Sequence, residues 1–255
     1  MSQKNPVFIG GPGCLEPIVA RVLGSHPHIV CGPGLDLIHS VATAGKDVNS
    51  AMTYLREFQL DTGTVDQAFS KLSRSILGVS ESGKSGQTFV EVDAKASFCF
   101  NEIHRIFPES PLIFILRDVR DLVAQEFASA TVAKERDQRQ WRQTKAGELS
   151  KKWLQMIVDG STSFKAFGPQ TRTCLLRLEG LLINPRKWLG ELLSFLDIEL
   201  VENEIQALEA TAMREIKQAS PALVGSWREE LTPEERSIIE TICGGALRDL
   251  NYFGL

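Results

Sequence analysis

The sequence predicts an α/β fold: a three-layer α/β/α sandwich on a central parallel sheet, in a single domain spanning residues 1–255. Three observations carry this. Short, almost continuous apolar runs recur along the chain, and strands apolar on both faces belong to parallel sheets covered by helices. Segments of helical period separate those runs, and alternating strand and helix places helices on both faces of the sheet. No repeat, low-complexity tract or linker interrupts the pattern, and 255 residues is the upper range of one domain.

The elements follow in order. Val7-Phe8-Ile9 is the first strand. Gly10-Gly11-Pro12-Gly13 makes a tight turn, and a helix follows with Pro17 near its first turn. His28 to Cys31 adds a strand. Thr64 and Gln67 form a capping box for a helix over Val65 to Leu77, with Phe69, Leu72, Ile76 and Leu77 on its apolar stripe. Thr88 to Val92 and Leu112 to Leu116 are strands, and between them Phe100, His104 and Phe107 stand at helical spacing. Gln125 to Lys152 is polar and reads as a solvated helical excursion or flap. Cys174-Leu175-Leu176 is a strand. Asn184-Pro185 starts a helix carrying Trp188, Leu189, Leu192, Leu193 and Leu196. Thr232-Pro233-Glu234-Glu235 starts the last helix, with Ile238, Ile239, Ile242 and Leu247 as its stripe.

Composition excludes several classes of protein. The chain is 43% hydrophobic and 24% charged, which rules out a disordered tail. Its apolar runs reach five or six residues, whereas a membrane span needs about twenty. The start of the chain enters a strand with no signal-peptide core. Cysteines stand at 14, 31, 99, 174 and 243 without CxxC spacing. That argues against a disulfide framework or a structural zinc, and a cytoplasmic location is expected. His, Cys and carboxylates do not cluster at ligand spacing, so no metal is expected. The formal net charge of -4 disfavours a nucleic-acid-binding surface. Oligomeric state is left open.

Gly78 to Ser85 fits GxxxxGK[ST] letter for letter. A phosphate loop needs a strand before it and a helix after it, so that backbone N–H groups face the phosphates. Here a helix precedes and a strand follows, so the segment reads as a polar connecting loop and not as a nucleotide triphosphatase site.

The first strand, turn and helix have the right order for a phosphate site. Strand, Gly-x-Pro and helix, followed by Leu23-Gly24-Ser25-His26-Pro27, resemble the opening of sulfotransferases that use 3′-phosphoadenylyl sulfate (PAPS), commonly GxPRSGTTLL. Leu112 to Asp121, LIFILRDVRD, resembles the family's strand and RDPRD element. Arg177 to Leu182 with Asn184-Pro185, followed by Phe195-Leu196, resembles the RYEDLL…P segment. Gly225-Ser226-Trp227-Arg228 resembles the GxWR element. The four matches occur in family order over residues 6 to 252.

The resemblance implies a small-molecule hydroxyl or amine acceptor and PAPS or its product, 3′-phosphoadenosine 5′-phosphate (PAP). It places the 5′-phosphate against Gly10, Gly11, Pro12, Gly13 and Cys14. Arg117, Gln125, Trp227 and Arg228 fall to the 3′-phosphate and adenine. Arg177 is a further cation suited to an anionic nucleotide. The departures fall on the loop, where Gly13, Cys14, Leu15, Glu16 and Pro17 stand in place of Arg, Ser, Gly, Thr and Thr. A cation and its hydroxyls are gone, and a carboxylate that repels phosphate is gained. Gln125 replaces the usual serine. Cys31-Gly32-Pro33-Gly34 stands where some relatives carry a CGEE-like run, leaving Asp36 and His39 as candidate bases.

Lys95 can supply charge near a transferred group or be a solvated loop residue. Arg120 reads as exposed on the helix after Arg117, and His26 and His28 as turn residues. The acceptor pocket is expected from Ser40 to Leu60 and Gln125 to Lys152. Three functional readings remain: sulfonate transfer from PAPS, a non-catalytic protein on that fold, or a different chemistry in the emptied pocket. For the last, Cys14 or Asp36 is the candidate group; a helix N-terminus can lower the Cys14 thiol's pKa, or Cys14 is a small residue tucked into a turn.

Overall fold

A computed structural model describes residues 5–33, 37–50, 57, 61–76, 87–130, 135–219 and 224–253. Five parallel strands form one sheet in the order β2-β3-β1-β4-β5. They are β1 (Val7–Gly10), β2 (Ile29–Pro33), β3 (Thr88–Val92), β4 (Leu112–Leu116) and β5 (Thr173–Arg177). Each covers an apolar run read from the sequence. Alternate side chains enter opposite layers, as the two-residue period of a strand requires. Phe8, Leu112, Phe114 and Leu116 enter one core, and Val7, Ile9, Ile113 and Ile115 enter the other.

The first layer holds α2 (Leu37–Ser50), α3 (Thr62–Ile76), α4 (Phe100–Ile106), α5 (Val119–Ser129), α6 (Glu135–Ala166) and, near the end of the chain, the short α10 (Trp227–Glu230) with α11 (Pro233–Asp249). The second holds α1 (Glu16–Gly24), α7 (Leu178–Ile183), α8 (Pro185–Phe195) and α9 (Glu202–Ala219). The three-layer sandwich is therefore present, with a core on each face of the sheet.

Local signals set most helix ends. Asn184 accepts from the Lys187 N–H and starts α8, and Thr232 and Glu235 make the full capping box of α11. The start of α3 is a correction. Asp61, not Thr64, caps it, accepting the Thr64 N–H at 2.7 Å, so the helix begins earlier than read. Gln125 to Lys152 is not one excursion. It divides into the end of α5 and the first half of α6. α9 was not read from the sequence, although Ile205, Leu208 and Ala212 give it a buried stripe of helical spacing. Gly78 to Ser85 and Asp36 lie outside the described residues. The flanking order, α3 before and β3 after, is the one that disqualifies Gly78 to Ser85 as a phosphate loop.

The connection after β1 leads toward β2, and the one after β4 leads the other way to β5. The crevice outside the carboxyl ends of these two neighbouring strands is the topological switch point, where ligands bind in open α/β sheets.

Candidate functional site

Two segments meet at that crevice: the turn after β1 and the residues after β4. Gly11 has φ +141°, and a Cβ there would lie 2.0 Å from the Ile115 carbonyl oxygen. Gly13 has φ +68°, and its Cβ would lie 2.7 Å from Leu122 Cδ1 and 3.1 Å from Arg117 Cδ. Only glycine allows the turn this close to β4. Gly10 ends β1 and is buried, packed against Ser97 and Phe100. The Gly11 N–H donates to the Ala94 carbonyl at 3.2 Å, and the Ala94 N–H donates to Glu16 Oε1 at 2.5 Å. Glu16 thus ties the start of α1 to the end of β3. Its charge also suits the helix dipole.

Arg117 is 2% exposed. Its Nη1 donates to Gln125 Oε1 at 2.5 Å, while Nε and Nη2 have no hydrogen-bond partner among the described residues. The three carboxylates that could neutralise it are engaged elsewhere. Asp118 pairs with Arg120 at 2.6 Å. Asp121 accepts from the Gly225 N–H at 2.8 Å, and from Ser226 Oγ and the Trp227 N–H at 3.2 Å. Glu179 accepts from the Asp118 N–H at 2.8 Å and from the Tyr252 hydroxyl at 3.4 Å. Burial pushes the Arg117 guanidinium below its ordinary range, and the fields of Asp121, Glu179 and Asp118 oppose that shift. Two orphaned donors on a buried cation are costly unless an acceptor reaches them. The alternative reading of Arg117, a salt bridge to one of these carboxylates, does not occur among the described residues.

Arg120 corrects the sequence reading. It is buried rather than exposed, paired with Asp118, donating to the Tyr252 carbonyl at 2.8 Å and lying 4.1 Å from the Trp227 ring centroid. Trp227, the expected adenine platform, lies among three arginines. The guanidinium carbons of Arg228 and Arg236 stand 4.7 and 5.3 Å from the same indole, so its ring is engaged by cations. Arg228 itself is exposed. Arg177 lies over the Tyr252 ring at 4.6 Å and donates to the Leu250 carbonyl.

Cys14 sits at the turn but is 1% exposed. Burial, then Glu16 and Asp93, push its thiol well above the ordinary range. This is the opposite of what a nucleophile needs, and corrects the reading of Cys14 as one; the residue packs as a small apolar group. His39 lies on α2, with Nδ1 3.7 Å from Cys99 Sγ. Nearby, the Ile38 N–H donates to Glu91 Oε1 at 3.4 Å. Glu91 is buried on β3, and burial raises its carboxyl to about 7.

A cavity of about 360 Å³ opens beside the turn. Pro12, Gly13 and Glu16 form one side, Ala94 and Lys95 a second, and Leu122 with the α6 residues Leu149, Lys152, Trp153 and Met156 a third. Trp153 anchors this wall by donating its indole N–H to the Arg117 carbonyl at 2.8 Å. Leu149 and Lys152 fall at the end of the stretch Gln125 to Lys152 expected of an acceptor pocket; sequence reasoning missed Trp153 and Met156, because that stretch ended at Lys152. The signal available was the i, i+3, i+4, i+7 spacing of residues 149, 152, 153 and 156. Among the described residues no group of His, Cys, Asp and Glu could hold a metal, and no helix is long and apolar enough to cross a membrane.

The model of the sulfotransferase family matches residues 18–202. The chain belongs to that family. This family member has solved structural counterparts at low identity. The sulfotransferase domain of the Synechococcus PCC 7002 olefin synthase superposes with TM-score 0.59 at 14% identity, covering 94% of this chain and 95% of that one. Mouse sulfotransferase SULT7A1 complexed with PAP gives TM-score 0.59 at 12% identity, covering 97% and 86%. The sulfotransferase domain from the curacin biosynthetic pathway gives 0.56 at 14%, covering 94% and 98%. No curated protein sequence matches the chain. The family match begins at Ile18, just past the loop whose residues depart from the family pattern.

Proposed function

We propose that this sulfotransferase moves a sulfonate group from PAPS to a hydroxyl or amine on a small-molecule acceptor. The observation that carries the reading is Arg117, a buried arginine at the switch point with Nε and Nη2 unsatisfied. A phosphate supplies two acceptor oxygens in the plane that a guanidinium fork presents.

PAPS, when bound, supplies an activated sulfonate on its 5′-phosphate. Arg117 holds the 3′-phosphate, and Gln125 orients it through Nη1. Arg228, steadied by Trp227, adds a second cation from the Gly225–Arg228 turn, which Asp121 anchors to α5. Gly10 to Cys14 bring backbone, without side-chain bulk, to the 5′-phosphate. The acceptor enters the cavity of about 360 Å³, whose Leu122, Leu149, Trp153 and Met156 suit an apolar body. His39 and Asp36 remain the proposed bases for the acceptor proton.

One observation favours the second reading, a family member without this chemistry. Glu16 brings a negative charge to the first turn of α1, where the family places threonine, and repels an incoming phosphate. Incubation with radiolabelled PAPS and a panel of phenols, alcohols and amines separates the two. Label moving to any acceptor supports transfer. No labelled product, with PAP still bound, points to the non-catalytic reading.

A further inference from the structure

The turn after β1 carries no cation, yet a transferred sulfonate needs positive charge against it in the transition state. On the donor reading, which puts the 5′-phosphate at that turn, the sulfonate projects into the cavity that Pro12, Gly13 and Glu16 line. Four residues of α6 face it: Leu149, Lys152, Trp153 and Met156. Their spacing puts them on one stripe of the helix. Three are apolar, and Lys152 is the one charge on this stripe. The register of α6 is set by Trp153, whose indole N–H holds the Arg117 carbonyl at 2.8 Å. Lys152 is therefore one residue from an anchor on the strand that bears the phosphate-binding arginine. It is exposed and has no ion-pair partner among the described residues. Across the cavity stands Glu16, with its carboxylate held at the end of β3.

We infer that Lys152 supplies, from α6, the positive charge against the transferred sulfonate that the turn after β1 lacks. This rests on the donor reading given above. Lys95 lines the same cavity from the segment after β3. The arrangement moves the cation from the loop to a helix anchored on β4. The turn can then stay glycine-rich and close to Ile115, while Glu16 keeps its tie to Ala94.

The test compares PAPS with PAP, which lacks the sulfonate, by calorimetry on the full chain. Lys152→Met is expected to weaken PAPS about tenfold and leave PAP within about twofold, since one charge-assisted hydrogen bond is lost. Lys152→Arg should recover most of the PAPS affinity. Lys151→Met, on a neighbour that does not line the cavity, should change neither. Equal weakening of both nucleotides by Lys152→Met, no weakening of either, or the same effect from Lys151→Met would overturn the inference while leaving the donor reading standing. A wild-type protein that binds neither nucleotide would overturn both.

Discussion

The indole N–H of Trp153 donates to the carbonyl oxygen of Arg117 at 2.8 Å, joining the long helix α6 to the end of β4. This bond ties the cavity wall to Arg117, the arginine proposed to hold the 3′-phosphate. Trp153→Phe keeps an apolar ring but orphans a buried carbonyl. It is expected to cost about 1–3 kcal/mol in urea unfolding. It should also weaken PAP binding, because Arg117 loses its support. A variant as stable as wild type would show that the bond does not hold α6.

The close approach of the first turn gives a sharper prediction. Gly11→Ala places a Cβ 2.0 Å from the Ile115 oxygen at φ +141°. Neither the backbone conformation nor the space is available, so the variant should lose more than about 3 kcal/mol or fail to fold. Gly168→Ala is the control, because nothing lies within 4 Å of its Cβ. Thermal unfolding of the two variants should differ by many degrees.

Much of this was legible in the sequence, and the remainder follows a physical pattern. The five strands and the caps at Asn184 and Thr232 are local features, set by apolar runs and by side chains that reach three residues along. The misread cap at Asp61 is also local: Asp61 and Thr64 are both capable caps, and the earlier one won. Arg120 was not legible. Its charge suggests a surface, yet it is buried because Asp118 neutralises it and a carbonyl 132 residues away completes it. The cavity was legible only in part: Leu149 and Lys152 end the stretch expected of an acceptor pocket, but their junction with the turn at Gly13 and with Lys95 depends on the sheet order. Arg117 was read as a ligand contact from its place at a strand end. The structure adds that its carboxylate neighbours are all spent on other donors.

The anchoring of the Gly225–Arg228 turn depends on one carboxylate. Asp121 accepts three hydrogen bonds from it. Asp121→Ala orphans two backbone N–H groups and should cost about 1–3 kcal/mol. Because Arg228 rides on that turn, PAP affinity should fall with stability. Stability that drops with PAP affinity unchanged would remove Arg228 from the donor site.

Glu91 predicts a pH dependence of stability. Burial raises its carboxyl from an ordinary 4.5 to about 7, with the Ile38 N–H pulling it back and Asp93 adding to the rise. The folded protein then holds a proton between those values that the unfolded chain releases. Its contribution to stability is full below about pH 4.5 and is lost as pH rises to about 7, by up to about 3 kcal/mol. Glu91→Gln should abolish this slope. Urea midpoints for both proteins at pH 5 and pH 8, read against the difference between them, check the sign.

We propose that the crevice after β1 and β4 holds an adenosine nucleotide, with its 3′-phosphate on Arg117 and its 5′-phosphate on the turn at Gly10 to Cys14. Calorimetric titration with PAP, on wild type and Arg117→Met, tests it most directly. Saturable heat in the wild type, with affinity at least about tenfold weaker in the variant, is the predicted result. No heat from the wild type at millimolar PAP, or equal affinity in both proteins, would contradict it.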